Sequence, residues 1–85
     1  MRTRGGTGAQ LNPSGDPLFE ALRTKRRELA LEASVPPYVI FHDSVLREMA
    51  TLRPATLAAM GRITGVGTRK LEAYGEAFLA VVRRF

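Results

Sequence analysis

Eighty-five residues allow one small domain at most, and this chain has no cysteine and a formal net charge of +5. The lack of cysteine excludes a disulfide framework, a thiolate nucleophile and a zinc–cysteine site, and it makes a reducing cytoplasmic interior the expected compartment. No apolar run approaches the length of a membrane span and the N-terminus lacks the apolar stretch of a signal peptide, so no membrane partner is expected.

Residues 1–15, MRTRGGTGAQLNPSG, hold one large apolar residue, Leu11, among Gly, Thr, Arg, Pro and Ser. Such a stretch buries too little surface to offset its ordering entropy and reads as a flexible tail or linker, leaving 16–85 as the folded domain. The first helix is expected to start at Asp16-Pro17, because Asp caps well and the missing N–H of Pro costs nothing at the first helical position. Phe19, Leu22, Leu29 and Ala33 recur at helical spacing and should form its buried face. The prolines of SVPP end it. YVIF is too short for a strand with nothing to pair with, and reads as a buried extended connector.

Asp43 is then expected to cap a second helix with Val45, Leu46, Met49 and Ala50 inward. Pro54 separates it from a short third helix carrying Leu57, Ala58, Met60 and Ile63. After the turn Gly65-Val66-Gly67, Thr68 should cap a fourth helix containing Leu71 and Tyr74. Gly75 punctuates that helix, and a last one carries Phe78, Val81, Val82 and Phe85 at i, i+3, i+4, i+7. The fold class is therefore all-α, a compact bundle of about five short helices.

Catalytic chemistry finds no footing. His42, the single histidine, stands beside Asp43, but there is no second His and Asp43 is expected to serve as a helix cap. Ser44, Thr56 and Thr68 sit where helices begin and Ser34 precedes a proline, with no local base to activate any of them. The carboxylates are too scattered for a metal cluster. No enzyme activity, metal or cofactor is expected.

Charge points weakly to a polyanion. Residues 16–85 carry eleven basic and eight acidic side chains, a net +3. Eleven of the thirteen basic residues are arginine, which fits bidentate phosphate contact or, equally, the codon bias of a GC-rich genome. The stretch ITGVGTRKLEAYG lacks both the Walker loop and the dinucleotide fingerprint. It can still hold an anion: Gly65 and Gly67 permit positive φ, the N–H groups of residues 66–68 lie open at a helix start, and Arg69 and Lys70 follow on the first turn. The alternative is a turn kept glycine-rich only so that two helices can approach. I-x-G-V-G also resembles the hairpin of helix-hairpin-helix DNA-binding motifs, although Leu71 stands where those carry a small residue.

Read together, LFEALRTKRRELALEASVPPYVIFHDSVLREMA, RPATLAAMGRITGVGTRKLEAYG and EAFLAVVRRF, in that order over residues 17–85, resemble the HRDC domain. That family takes its name from the helicases and RNase D enzymes that carry it near their C-termini. The likeness is nearest to the form found in bacterial RecQ helicases, with RNase D-type exonucleases the second choice. It implies a five-helix module without catalysis of its own, which binds single-stranded or branched DNA weakly and adjusts the substrate choice of the motor. In other relatives the module contacts protein, so docking on its own helicase core or on a partner is the alternative.

The resemblance also implies that the aromatic after the double proline contacts DNA, here Tyr38, stiffened by Pro36 and Pro37; the residues alone read instead as Tyr38 capping the core beside Val39, Ile40 and Phe41. The basic residues sort around it. Arg27 and Lys25 lie off the apolar stripe and can reach a phosphate, Lys25 at a position often apolar in relatives. Arg23 and Arg53 are rim contacts, and Arg69 and Lys70 clamp at the Gly65–Gly67 turn. Arg26 shares the face of Phe19 and Leu22 and should instead snorkel or pair with a carboxylate. The expected partners are single-stranded or branched DNA and the helicase core of the same parent chain, with the isolated domain monomeric. Residues 1–15 would be the linker that keeps a weak binder at high effective concentration near the motor.

Overall fold

A computed structural model describes residues 16–85, so the expected tail over 1–15 lies outside the described residues. The described residues form five helices and no strand: α1 (Pro17–Ala33), α2 (Pro37–Ile40), α3 (Asp43–Leu52), α4 (Leu57–Gly61) and α5 (Thr68–Arg83). The long helices α1 and α5 pack together, with α2 and α3 against α1 and α4 against α5. None is long and apolar enough to cross a membrane.

The start of α1 follows from its first two residues. Asp16 accepts a 2.9 Å hydrogen bond from the Leu18 N–H and Pro17 takes the first helical position. The buried row is Leu18, Leu22, Arg26 and Ala30, with Phe19 beside it. Of the expected face, Leu29 is only half-buried and Ala33 is exposed, because the row that meets the core runs at i, i+4 and leaves the last turn outside it. The helix ends before the prolines. Ser34 turns left-handed at φ +58°, its N–H bonding Leu31 O while the Val35 N–H bonds Ala30 O at 3.0 Å.

Three expectations need correction. YVIF is not an extended connector: Pro37–Ile40 is one helical turn, with Ile40 and Phe41 buried and Tyr38 and Val39 outside. Proline at the first helical position favours that turn. Asp43 is not the cap of α3. His42 holds that place without a side-chain bond, and Asp43, one residue inside, points its carboxylate at Arg26. Finally, α5 runs unbroken from Thr68 to Arg83, with Gly67 rather than Thr68 at its cap position and Gly75 buried in mid-helix. A Cβ on Gly75 would lie 2.9 Å from Leu71 Cδ1 and 3.0 Å from Leu57 Cδ2, so this glycine lets α4 approach α5. The total of five is kept because the helical turn of α2 offsets the fusion of two expected helices into α5.

The remaining expectations largely hold. Val45, Leu46, Met49 and Ala50 face inward from α3, and Thr56 caps α4 by accepting from the Ala59 N–H at 3.1 Å. In α4 and the residues after it, Met60 and Ile63 are buried, Leu57 is half-buried and Ala58 is exposed. Phe78, Val81 and Val82 are buried with Leu79, whereas Phe85 lies beyond the helix and is exposed. Phe78 meets Phe41 edge-on, ring centroids 5.2 Å apart, an arrangement favoured by the ring quadrupoles.

Candidate nucleic-acid interface

The surface around Tyr38 is built from a stiff turn and a buried clamp. Pro36 and Pro37 set the backbone into α2, whose single turn directs Tyr38 outward, 59% exposed, and Ile40 inward. Phe41 follows with an extended backbone and its ring in the core. Its carbonyl accepts a 2.9 Å hydrogen bond from Arg26 Nη1, and the same nitrogen lies 2.8 Å from Asp43 Oδ1. Arg26 is 8% exposed, so the expectation that it pairs with a carboxylate holds. The guanidinium thus grips the chain on both sides of His42. The His42 ring stacks with Tyr38, centroids 6.0 Å apart and planes 26° from parallel.

Phe41 is the hub beneath this surface. Tyr74 meets its ring edge-on at 6.2 Å, and Lys70 Nζ lies 5.8 Å from the ring centroid, within cation–π range. Lys70 thus packs on the ring of Phe41, three residues after Tyr38 in the chain. In the glycine turn, Gly65 packs against Val45 in the first turn of α3. Gly65 has positive φ, +97°. Gly67 does not: it sits at φ −80°, ψ 172°, extended backbone that any residue adopts, which corrects the expectation for that glycine. Arg69 is exposed at the start of α5.

The other basic residues are spread more widely. Arg27 is exposed on α1, next to Arg26 in sequence, while Lys25 is engaged with Glu28 at 3.2 Å. Arg23 bonds Glu20 at 3.3 Å, and its guanidinium carbon lies 6.0 Å from the Phe19 ring centroid, as does that of Arg47. Arg53 closes α3 at the end opposite His42, about 15 Å along a ten-residue helix. There it donates to Phe85 O at 2.9 Å, and Arg83 reaches Ala55 O at 3.2 Å. Arg53 is thus separate from the Tyr38 surface. Among the described residues no group of three His, Cys, Asp or Glu side chains could hold a metal ion.

Its surroundings change the acidity of Asp43. Its carboxyl lies below the usual range because Arg26 donates a hydrogen bond to it, opposed by slight burial and reinforced by the charges of Arg26, Arg47 and Arg23. A depressed folded-state pKa contributes stability that is complete above the unfolded value of about 3.9 and is lost as pH falls through the folded value. Acid titration of thermal stability should therefore show wild type losing, below about pH 4, an increment that Asp43→Asn lacks at every pH. Parallel curves for the two proteins would contradict this. The increment is small, because the Asp43 side chain is 55% exposed and screened by water.

Comparison with known proteins places this chain in a family. The chain is 41% identical over 66 residues to the ATP-dependent DNA helicase RecQ of Haemophilus influenzae, which covers 78% of this chain and 11% of that protein. It is 44% identical over 66 residues to the ATP-dependent DNA helicase UvrD2 of Mycobacterium tuberculosis, covering 78% of this chain and 9% of that protein. The chain thus spans about a tenth of the length of these curated relatives. Among solved structures, HRDC domain 3 of Deinococcus radiodurans RecQ superposes with a TM-score of 0.78 at 37% identity, over 86% of this chain and 93% of that one. The HRDC domain model matches residues 16–82, and with the five-helix fold and the helicase relatives this establishes that the chain belongs to the HRDC domain family.

Proposed function

We propose that this accessory domain binds single-stranded or branched DNA weakly and adjusts the substrate choice of an attached RecQ-like helicase core. The observation that carries the reading is Tyr38: a large aromatic ring more than half exposed on a helical turn set by two prolines. A ring on a backbone fixed before binding loses less entropy on contact, and stacking is worth about 1–3 kcal/mol per base. Arg27, Lys25, Arg69 and Lys70 supply the phosphate contacts of this reading, with the Gly65–Gly67 turn as backbone donor; Arg53, at the far end of α3, takes no part in it. A net charge of only +3 over residues 16–85 makes the binding modest and steeply dependent on salt.

Fluorescence anisotropy with labelled single-stranded and branched oligonucleotides, at low and physiological salt, tests it. Tyr38→Ala is expected to weaken binding by about 1–3 kcal/mol, and Arg69→Ala/Lys70→Ala to weaken it and flatten its salt dependence. Binding absent at low salt, or indifferent to both variants, would favour a second reading, in which the domain docks on its own helicase core or a partner protein. The pairing of Lys25 with Glu28, Arg23 with Glu20 and Arg26 with Asp43 favours that reading, since it leaves fewer cations for phosphate.

A further inference from the structure

We infer that His42 is the second ring of the base-contacting surface, and that Tyr38 and His42 act as one platform for the unpaired bases of single-stranded DNA. The inference rests on the proposed DNA-binding role of Tyr38 and names a residue which that role does not include. His42 is exposed, and its ring lies 6.0 Å from that of Tyr38 at an interplanar angle of 26°. A base held between two rings needs a gap of roughly 7 Å, twice the contact distance of about 3.5 Å. The pair is therefore not a slot, and it is a stack of two rings whose exposed outer face on His42 takes a base.

Three features argue that this surface is built rather than incidental. Arg26 fixes the residue before His42 through the Phe41 carbonyl and the residue after it through the Asp43 carboxylate, both from a buried guanidinium. Pro36 and Pro37 fix Tyr38 from the other side. His42 itself occupies the cap position of α3 without a side-chain capping bond, so its ring is not spent on the cap. A ring carried on so firmly held a backbone, and exposed, is free to bind. The ligand is an unpaired base, because stacking needs an open π face and duplex DNA covers its own.

The test uses the 85-residue chain and a fluorescein-labelled oligothymidylate, with an abasic strand of equal length and charge as control. His42→Ala is expected to weaken binding to the oligothymidylate about 5-fold or more, as loss of one stacking contact implies. His42→Phe should retain it, and neither change should alter binding of the abasic strand. The ring protons of wild-type His42 should shift upfield in the NMR spectrum on adding oligothymidylate, which a merely supporting residue would not show. If Tyr38→Ala weakens binding while His42→Ala does not, or if the His42 ring protons stay put, the inference fails and the Tyr38 reading survives. If Tyr38→Ala has no effect, both fail. Thermal melts of the His42 variants should match wild type.

Discussion

Arg26→Met is expected to destabilise the domain by about 2–4 kcal/mol, lowering its melting temperature by roughly 10–25 °C. Methionine keeps the apolar stem in place, so the loss isolates the guanidinium. Two groups lose their partner: the Phe41 carbonyl, in the interior, and the Asp43 carboxylate at its edge. An unpaired buried carbonyl alone costs about 1–3 kcal/mol, and the half-exposed carboxylate adds less because water can replace the arginine. The Arg26 Nε is buried without a hydrogen-bond partner, so the guanidinium already bears a desolvation cost and is not an optimised ion pair. Arg26→Lys should recover only part of the loss, since one ammonium on a shorter reach serves two acceptors poorly. Thermal melts of the three proteins at neutral pH decide this. An Arg26→Met variant as stable as wild type would show that the clamp is not what holds the α1–α3 joint.

The second large effect is expected at the glycine turn. Gly65→Ala should cost about 2–4 kcal/mol, whereas Gly67→Ala should cost about 1 kcal/mol or less, the scale of a cap-position change. At Gly65 two penalties combine. The backbone has φ +97°, which an L side chain rarely adopts, and an added Cβ would lie 2.6 Å from Val45 Cγ2 in the core. Val45 is β-branched on a helix and has little rotamer freedom with which to yield. At Gly67 the backbone is extended and no atom lies within 4 Å of an added Cβ. Two glycines that look equivalent in sequence thus have different purposes. Urea denaturation of both variants separates them. Equal losses would mean that the turn is constrained along its whole length. The Gly65 result also bears on the anion-seat idea: Gly65 is required by packing against α3 whether or not phosphate ever binds there.

The chain is legible where the signal is local. Asp16-Pro17 and Thr56 announce helix starts because capping involves donors only two or three residues away. Val45, Leu46, Met49 and Ala50 reveal a buried face because helical period alone aligns them. Arg26 was legible too, since a charged residue in the row of Phe19 and Leu22 must find a partner. Which partner it finds was not legible: Asp43 looked like a cap, and nothing nearby in sequence says that its carboxylate serves a side chain on α1.

His42 shows the cost of a misread local structure. With YVIF taken as extended, Tyr38 and His42 stand about 13 Å apart, four strand steps, and have nothing to do with each other. In the helical turn they stack. The turn forms because Pro37 suits a first helical position and because the carbonyl released at Phe41 is taken by Arg26, fifteen residues upstream. Only the second of these lies beyond reach of a sequence pattern.

By itself the sequence determined the all-helical class, the caps at Asp16 and Thr56, and the family resemblance, which in turn implies Tyr38 as a contact. Each rests on contacts within about one helical turn or on a motif carried whole. The tertiary structure alone decided that α5 runs through Gly75, that Gly65 and not Gly67 needs to be glycine, that Arg53 is remote from Tyr38, and that His42 stands beside it. Those outcomes depend on which helix packs against which, and partners brought together by packing leave no periodic mark along the chain.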